Sequence, residues 1–380
     1  MKTGKRLCVL LLIVSMFFLN GCWNYREIET LAMVSGFAID KGTDGHKYHL
    51  TFEFLDLTSE NMGSKLLETD GDTVFDAVRN AISKSQKKLM FSDCKIILIS
   101  KELASEGIAP LLDFVTRDTE PRITLHPMIS EEKTAGEILQ QKPLTDHLIC
   151  LELNQILDQN TANLAEAPKI RLYQANNLLE GQGSSLFLPS IKIAKQKAAS
   201  TLELAGTAVF KQDKLVGFLD RNQSKDLLFI KNQIKGGLLL VSPDASGQKI
   251  TLEIKESKTE IKPVFVNQLV TIQINIKTAC ALAEDETSKS YDTLEGLKKV
   301  EERANKMLES DITGTIQTVQ TKYDSDIFGF GSLVYQSDPQ YWEKEKPKWG
   351  ELFPTLKVSV TADVKILNTA VAKSTIKAGE

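Results

Sequence analysis

The feature that most constrains the fold is a strict two-residue alternation near the end of the chain. Leu356, Val358, Val360, Ala362, Val364 and Ile366 are apolar, with Lys357, Ser359, Thr361, Asp363 and Lys365 between them. Successive side chains of a strand point to opposite faces, so this segment has one dry face and one wet face. The same pattern occurs at Ile250, Leu252 and Ile254, and at Val270, Ile272, Ile274 and Ile276. A helical repeat through Leu294, Leu297, Val300, Ala304, Met307, Ile312, Ile316 and Val319 lies between the last two strands. Half-wet strands beside a long amphipathic helix predict a largely antiparallel sheet packed against that helix.

Upstream, strands and helices mix. Ala32–Asp40 and Tyr48–Leu57 read as strands around the turn Gly42-Thr43-Asp44-Gly45. Asp72 is placed to cap a helix reaching about Lys88, with Val74, Val78, Ala81 and Ile82 on one face. A strand over Cys94–Ile99 and a helix over 101–118, interrupted near Pro110, follow. A strand over Ile123–Ile129 comes next, then helices over Thr134–Gln141 and Thr145–Asp158. Residues 160–185 read as irregular, with Gly181-Gln182-Gly183 a flexible loop, and Leu186–Pro189 resumes a strand. Gly206–Phe210 and Leu215–Leu219 flank Gln212-Asp213-Lys214 as a hairpin. Residues 195–201 are the best linker. The expected fold is therefore α+β and multi-domain, with mixed and largely antiparallel sheets packed against helices. The expected division is a leader at 1–21, an N-terminal α/β region at 22–195, open to division into two, and a C-terminal α+β domain at 202–376.

The leader has a recognisable form. Lys2, Lys5 and Arg6 precede an apolar run from Leu7 to Leu19. That run suits a signal-peptide core and falls short of the about 20 residues that span a bilayer. It ends in Leu19-Asn20-Gly21-Cys22, a lipobox. Cys22 is therefore expected to carry an S-diacylglyceryl group and, once cleavage frees its amine, an N-acyl chain. Loss of the three leader cations takes the formal charge from −4 to −7. An acidic body is repelled by anionic lipid and by nucleic acid, so the lipid has to hold it to a membrane. Strand-like sequence begins within a few residues of Cys22, which keeps the body within about 10–20 Å of the bilayer.

No catalytic constellation is visible. The four histidines are scattered; His46 and His49 are three apart, which on a strand sends them to opposite faces. His126 and His147 stand alone. Cys94, Cys150 and Cys280 have no metal or disulfide spacing. Gly181-Gln182-Gly183 is followed by a Pro-containing strand, so a phosphate would find no helix N-terminus there. Asp70-Gly71-Asp72 is too short for a calcium loop. No cofactor and no metal are expected, and the chain does not read as an enzyme. Two aromatic stretches stand out: Asp326-Ile327-Phe328-Gly329-Phe330-Gly331, and Tyr341-Trp342 through Trp349. Ile327, Phe328 and Phe330 either face a partner or plug the core between helix and sheet. The tryptophans are expected to divide between core and surface.

These pieces resemble one family. The start Cys22-Trp23-Asn24-Tyr25-Arg26-Glu27-Ile28-Glu29 is similar to that of the Ger(x)C proteins, the C subunits of spore germinant receptors. So are Gly36–Lys41, Glu102-Leu103-Ala104 with Gly107, Leu112-Asp113-Phe114, Arg117-Asp118, and Gly206–Phe210 with Leu215-Val216-Gly217. Asp326–Gly331, Tyr341-Trp342, Trp349 and the closing strand match the family's C-terminal end. Asn24 departs from an acidic residue common in relatives. The resemblance implies a non-enzymatic lipoprotein on the outer face of the spore inner membrane, needed for nutrient-triggered germination. Its implied partners are the integral membrane A and B subunits, with no small-molecule ligand. The alternative is a solute-binding lipoprotein that feeds a transporter.

Overall fold

A computed structural model describes residue 4 and residues 30–56, 63–85, 87–195, 200–244, 247–267, 269–287, 291 and 293–368. The rest of the expected leader and Cys22 lie outside these residues. The strands are β1 (Leu31–Lys41), β2 (Tyr48–Asp56), β3 (Gly63–Gly71), β4 (Lys88–Met90), β5 (Ile96–Ser100), β6 (His126–Ser130), β7 (Phe187–Lys195), β8 (Ser200–Lys211), β9 (Lys214–Leu219), β10 (Leu238–Val241), β11 (Ile250–Val266), β12 (Leu269–Asp285) and β13 (Lys357–Asn368). The first six helices are α1 (Val74–Lys84), α2 (Lys101–Glu106), α3 (Ala109–Arg117), α4 (Gly136–Leu139), α5 (Ile149–Asn163) and α6 (Leu172–Glu180). α7 (Arg221–Ile230), α8 (Leu294–Thr318), α9 (Phe330–Ser337), α10 (Pro339–Glu345) and α11 (Trp349–Leu352) complete the set, and a π-turn over Val319–Tyr323 ends α8.

The first sheet runs β3-β2-β1-β5-β6-β7-β8-β9, with β4 also paired to β1. Its centre is parallel, β1 with β5, β5 with β6, and β6 with β7. Its flanks are antiparallel hairpins. β5 and β6 are buried at every residue, as strands covered on both faces must be. Ile97 and Ile99 face the larger core with Phe37, Ile39 and Ile129. Ile96 and Leu98 face a second core, where α5 contributes Ile149, Cys150, Leu153 and Leu157.

The second sheet runs β10-β11-β12-β13. β11 and β12 form a long antiparallel hairpin, and β13 returns parallel to β12 after α8 crosses over. Ile250, Leu252, Ile272, Ile274 and Val364 are fully buried against Val300, Ala304, Leu308, Ile312 and Ile316 of α8. The expected helix-on-sheet layer is therefore present. At about 1.5–3 kcal/mol per buried aliphatic side chain, this one interface is a major stabilising element.

Several local expectations are corrected. α1 is capped by Thr73, whose Oγ1 accepts the Asp76 amide at 3.0 Å, while the Asp72 amide donates to Asp76 Oδ2. Ile82 is 44% exposed, and α1 stops at Lys84 because Ser85 turns extended. Leu294 lies at the first turn of α8 and is exposed. The 160–185 stretch contains α6. The best linker falls inside a hairpin: Lys195 and Ser200 are Cα partners across β7 and β8. The first sheet continues through β8 and β9 to Leu219.

The sheet edges are treated differently. At β13 the amides of Ala362, Val364 and Ile366 donate to Glu309 Oε1, Asn305 Oδ1 and Glu301 Oε1 at 3.0, 2.7 and 2.8 Å. These acceptors are spaced four residues apart on α8, so they form one row along the strand. At β9 the Tyr323 hydroxyl donates to Phe218 O at 2.6 Å. At β10 Lys225 Nζ donates to Leu238 O at 3.2 Å. Filling edge groups from a helix removes a template for unwanted pairing.

Candidate functional site

Three of the buried carboxylates are committed to backbone amides. Glu53 on β2 is fully buried. Its Oε1 accepts the Ile149 amide at 2.7 Å, and its Oε2 accepts the Cys150 amide at 2.9 Å and the Ser35 hydroxyl at 2.7 Å. It thereby holds the first turn of α5, where free amides and the helix dipole favour an anion. Asp40 on β1 does the same for the short turn of α4, accepting the amides of Ala135 and Gly136 at 2.6 and 2.9 Å. Burial pushes the Asp40 carboxyl up, and those two amides pull it back.

Asp326 is the most connected of these groups. Its Oδ1 accepts the amides of Gly329 and Phe330 at 2.8 and 3.0 Å. Its Oδ2 accepts the Gly331 amide at 2.8 Å and the Trp349 indole N–H at 3.1 Å. Burial raises this carboxyl, and the four donors oppose the rise. Lys231 donates to Phe328 O at 3.2 Å, and burial lowers its pKa. Around this hub the Gly181–Gly183 loop meets the aromatic turn. Ser332 donates its amide to Gly183 O at 2.8 Å and its hydroxyl to Gln182 O at 2.7 Å. Ser185 donates its amide to Asp326 O at 2.8 Å. Gly183 has φ +71°, and a Cβ there would run into the backbone of Gly331 and Ser332. The loop expected to be flexible is therefore a fitted part of the joint between the two halves of the chain.

Ile327, Phe328 and Phe330 are 0%, 2% and 0% exposed, so of the two expected readings they take the core plug and do not face a partner. Phe328 and Phe330 stack at 5.1 Å between centroids. The reason is Asp326: gathering three successive amides folds the glycine-spaced turn inward and carries its aromatics with it. Trp342 and Trp349 are both buried and meet edge to face at 5.3 Å, so neither is a surface tryptophan. Asp326 itself was missed in the sequence, although an acid three residues before a glycine that opens a helix has capping spacing.

His46 Nδ1 lies 3.3 Å from Asp72 and His49 Nδ1 lies 2.8 Å from Asp70. His126 is buried with Nδ1 2.7 Å from Ile170 O, and desolvation lowers its pKa. Among the described residues no group of three or more His, Cys, Asp or Glu is placed to hold a metal. The three described cysteines are free and buried. Between α1 and α3 a recess of about 400 Å³ is lined by Tyr48, Val74, Phe75, Pro110 and Phe114. Among the described residues no helix is long and apolar enough to cross a membrane.

Comparison with known proteins covers both halves of the chain. Residues 24–193 match the spore germination protein N-terminal domain, and residues 205–370 match the spore germination B3/GerAC-like C-terminal family. Spore germination protein B3 of Bacillus subtilis (strain 168) is 29% identical over 97% of this chain and 98% of its own length. Spore germination protein KC of the same organism is 24% identical over 98% of each chain. The crystal structure of the GerBC protein superposes with a TM-score of 0.57 at 25% identity, covering 88% of this chain and 97% of that one. The chain belongs to the spore germination B3/GerAC family.

Proposed function

We propose that this protein is the lipid-anchored, non-enzymatic C subunit of a nutrient germinant receptor, acting through contacts with integral membrane A and B subunits. The observation that carries this reading is full-length membership of the germination family in a chain whose Leu19-Asn20-Gly21-Cys22 supplies a lipobox. Buried carboxylates committed to backbone amides support a role by contact rather than by proton transfer. Two acyl chains at about 0.8 kcal/mol per buried methylene make a stable anchor, and the place of work is the outer face of the spore inner membrane.

Replacing Cys22 with Ala is expected to release the protein from membranes and to weaken nutrient germination, while germination by non-nutrient routes persists. Normal nutrient germination with a soluble Cys22→Ala protein would sink the anchor's role. A solute-binding lipoprotein would instead use a recess such as the one at Tyr48, Phe75 and Phe114. Calorimetry of the soluble body against amino acids and sugars separates the two, with no binding expected.

A further inference from the structure

One edge of the first sheet is filled by a helix along only half of its length. β3 is the outer strand of the first sheet. The carbonyls of Glu68 and Asp70 point off that edge, where Lys84 Nζ and Asn80 Nδ2 of α1 donate to them at 3.0 Å each. Residues two apart on a strand share a direction, so the amides and carbonyls of Ser64 and Leu66 point the same way. Among the described residues nothing bonds to them. Ser64 and Leu66 are exposed, Leu66 by 36%. α1 ends at Lys84, so it cannot cover the strand below Glu68.

This open stretch lies close to where the leash enters. Phe54 pairs with Val34 on one side and with Lys65 on the other. Lys65 is thus level with Val34, four residues and about 13 Å along the strand from Thr30. Seven residues lie between Cys22 and Thr30, and the eight steps reach at most about 28 Å. We infer that the Ser64–Leu66 edge of β3 receives an extended segment of an integral membrane partner, which adds a strand to the sheet. A second copy of this chain is the competing occupant, and the test below tells the two apart.

The inference rests on the receptor reading above, and its test separates the two. The full-length chain is co-expressed with its A and B subunits and recovered from detergent-solubilised membranes. Leu66→Pro removes an edge amide, and about tenfold or greater loss of co-purified A and B is expected, with anchoring intact. A photo-crosslinking residue at position 66 gives an independent reading that does not depend on the proline variant folding. It is expected to capture A or B, while the same residue at 367, on the stretch of β13 that α8 lines, captures neither. If the wild-type chain retrieves neither subunit, the receptor reading fails. If the wild type retrieves them but position 66 gives no crosslink, or a folded Leu66→Pro chain retrieves them equally, the edge inference is overturned. Capture of another copy of this chain at position 66 overturns it as well.

Discussion

β13 and β3 are both outer strands of a sheet, yet at one a helix supplies acceptors to three outward amides and at the other a helix reaches only two carbonyls at one end. On β13 three successive outward amides each meet an acceptor from Glu309, Asn305 or Glu301. On β3 the helix that could do the same stops one turn too early, and two residues are left uncovered. The long helix α8 has 25 residues and runs beside β13, whereas α1 has eleven residues and caps off at Ser85. Helix length thus sets how far along each edge a helix can fill the strand's outward groups. The acidic residues tell a parallel story: Asp40, Glu53 and Asp326 each fasten backbone amides of a helix or turn.

The largest expected effect tests that second point. Asp326→Ala leaves three amides and an indole N–H unpaired in the interior, and should cost ~3–5 kcal/mol in a denaturation experiment. A loss below ~1 kcal/mol would mean the hub does not join the two halves. The edge geometry is tested next by paired prolines. Leu67→Pro removes an amide directed at β2 and is expected to cost ~3 kcal/mol or more, whereas Leu66→Pro, one residue away, should cost under ~1 kcal/mol. Equal losses would reverse the assigned direction of β3. Replacing Glu301, Asn305 and Glu309 together by Ala unseals β13; the expected result is a ~1–3 kcal/mol loss and concentration-dependent association by light scattering.

The smallest effect is a pH slope. Asp226 on α7 accepts the Thr315 hydroxyl at 2.6 Å, and burial raises its carboxyl to about 7. The folded chain therefore keeps a proton that the unfolded chain releases near 3.8. Between about pH 4 and 7 the folded state binds more protons, so stability falls as pH rises through that window. Asp226→Asn keeps an acceptor for Thr315 and should flatten this slope, gaining ~1–3 kcal/mol at pH 8. An unchanged slope in the variant places the titration elsewhere.

Much of the fold was legible because alternation reports burial directly. The faces of β11, β12 and β13 and the stripe of α8 are as expected, and the hairpin β8–β9 follows from its turn residues. β3 was not legible: in Gly-Ser-Lys-Leu-Leu-Glu-Thr-Asp-Gly only two residues are apolar, and an edge strand needs no more. β5 and β6 read as strands, but a buried apolar run carries no direction, so the parallel centre of the first sheet stayed hidden. α7 has charged and polar residues through its first half, and its cap, Asp220 with Gln223, was the available signal. The aromatic turn misled because glycine spacing suggests a loop, while the deciding contact comes from one buried aspartate. Glu301, Asn305 and Glu309 had their spacing in plain view, but their role depends on a strand fifty residues further on.

The lower half of β3 is expected to be open in the free chain and covered in the receptor. Amide hydrogen exchange, followed on the lipid-anchored chain alone and again in membranes with its A and B subunits, reads this directly. Fast exchange at Ser64 and Leu66 in the free chain, slowed in the complex, is the expected result, with Val364 slow in both. Protection at Leu66 in the free chain, or identical fast exchange in both states, would contradict it.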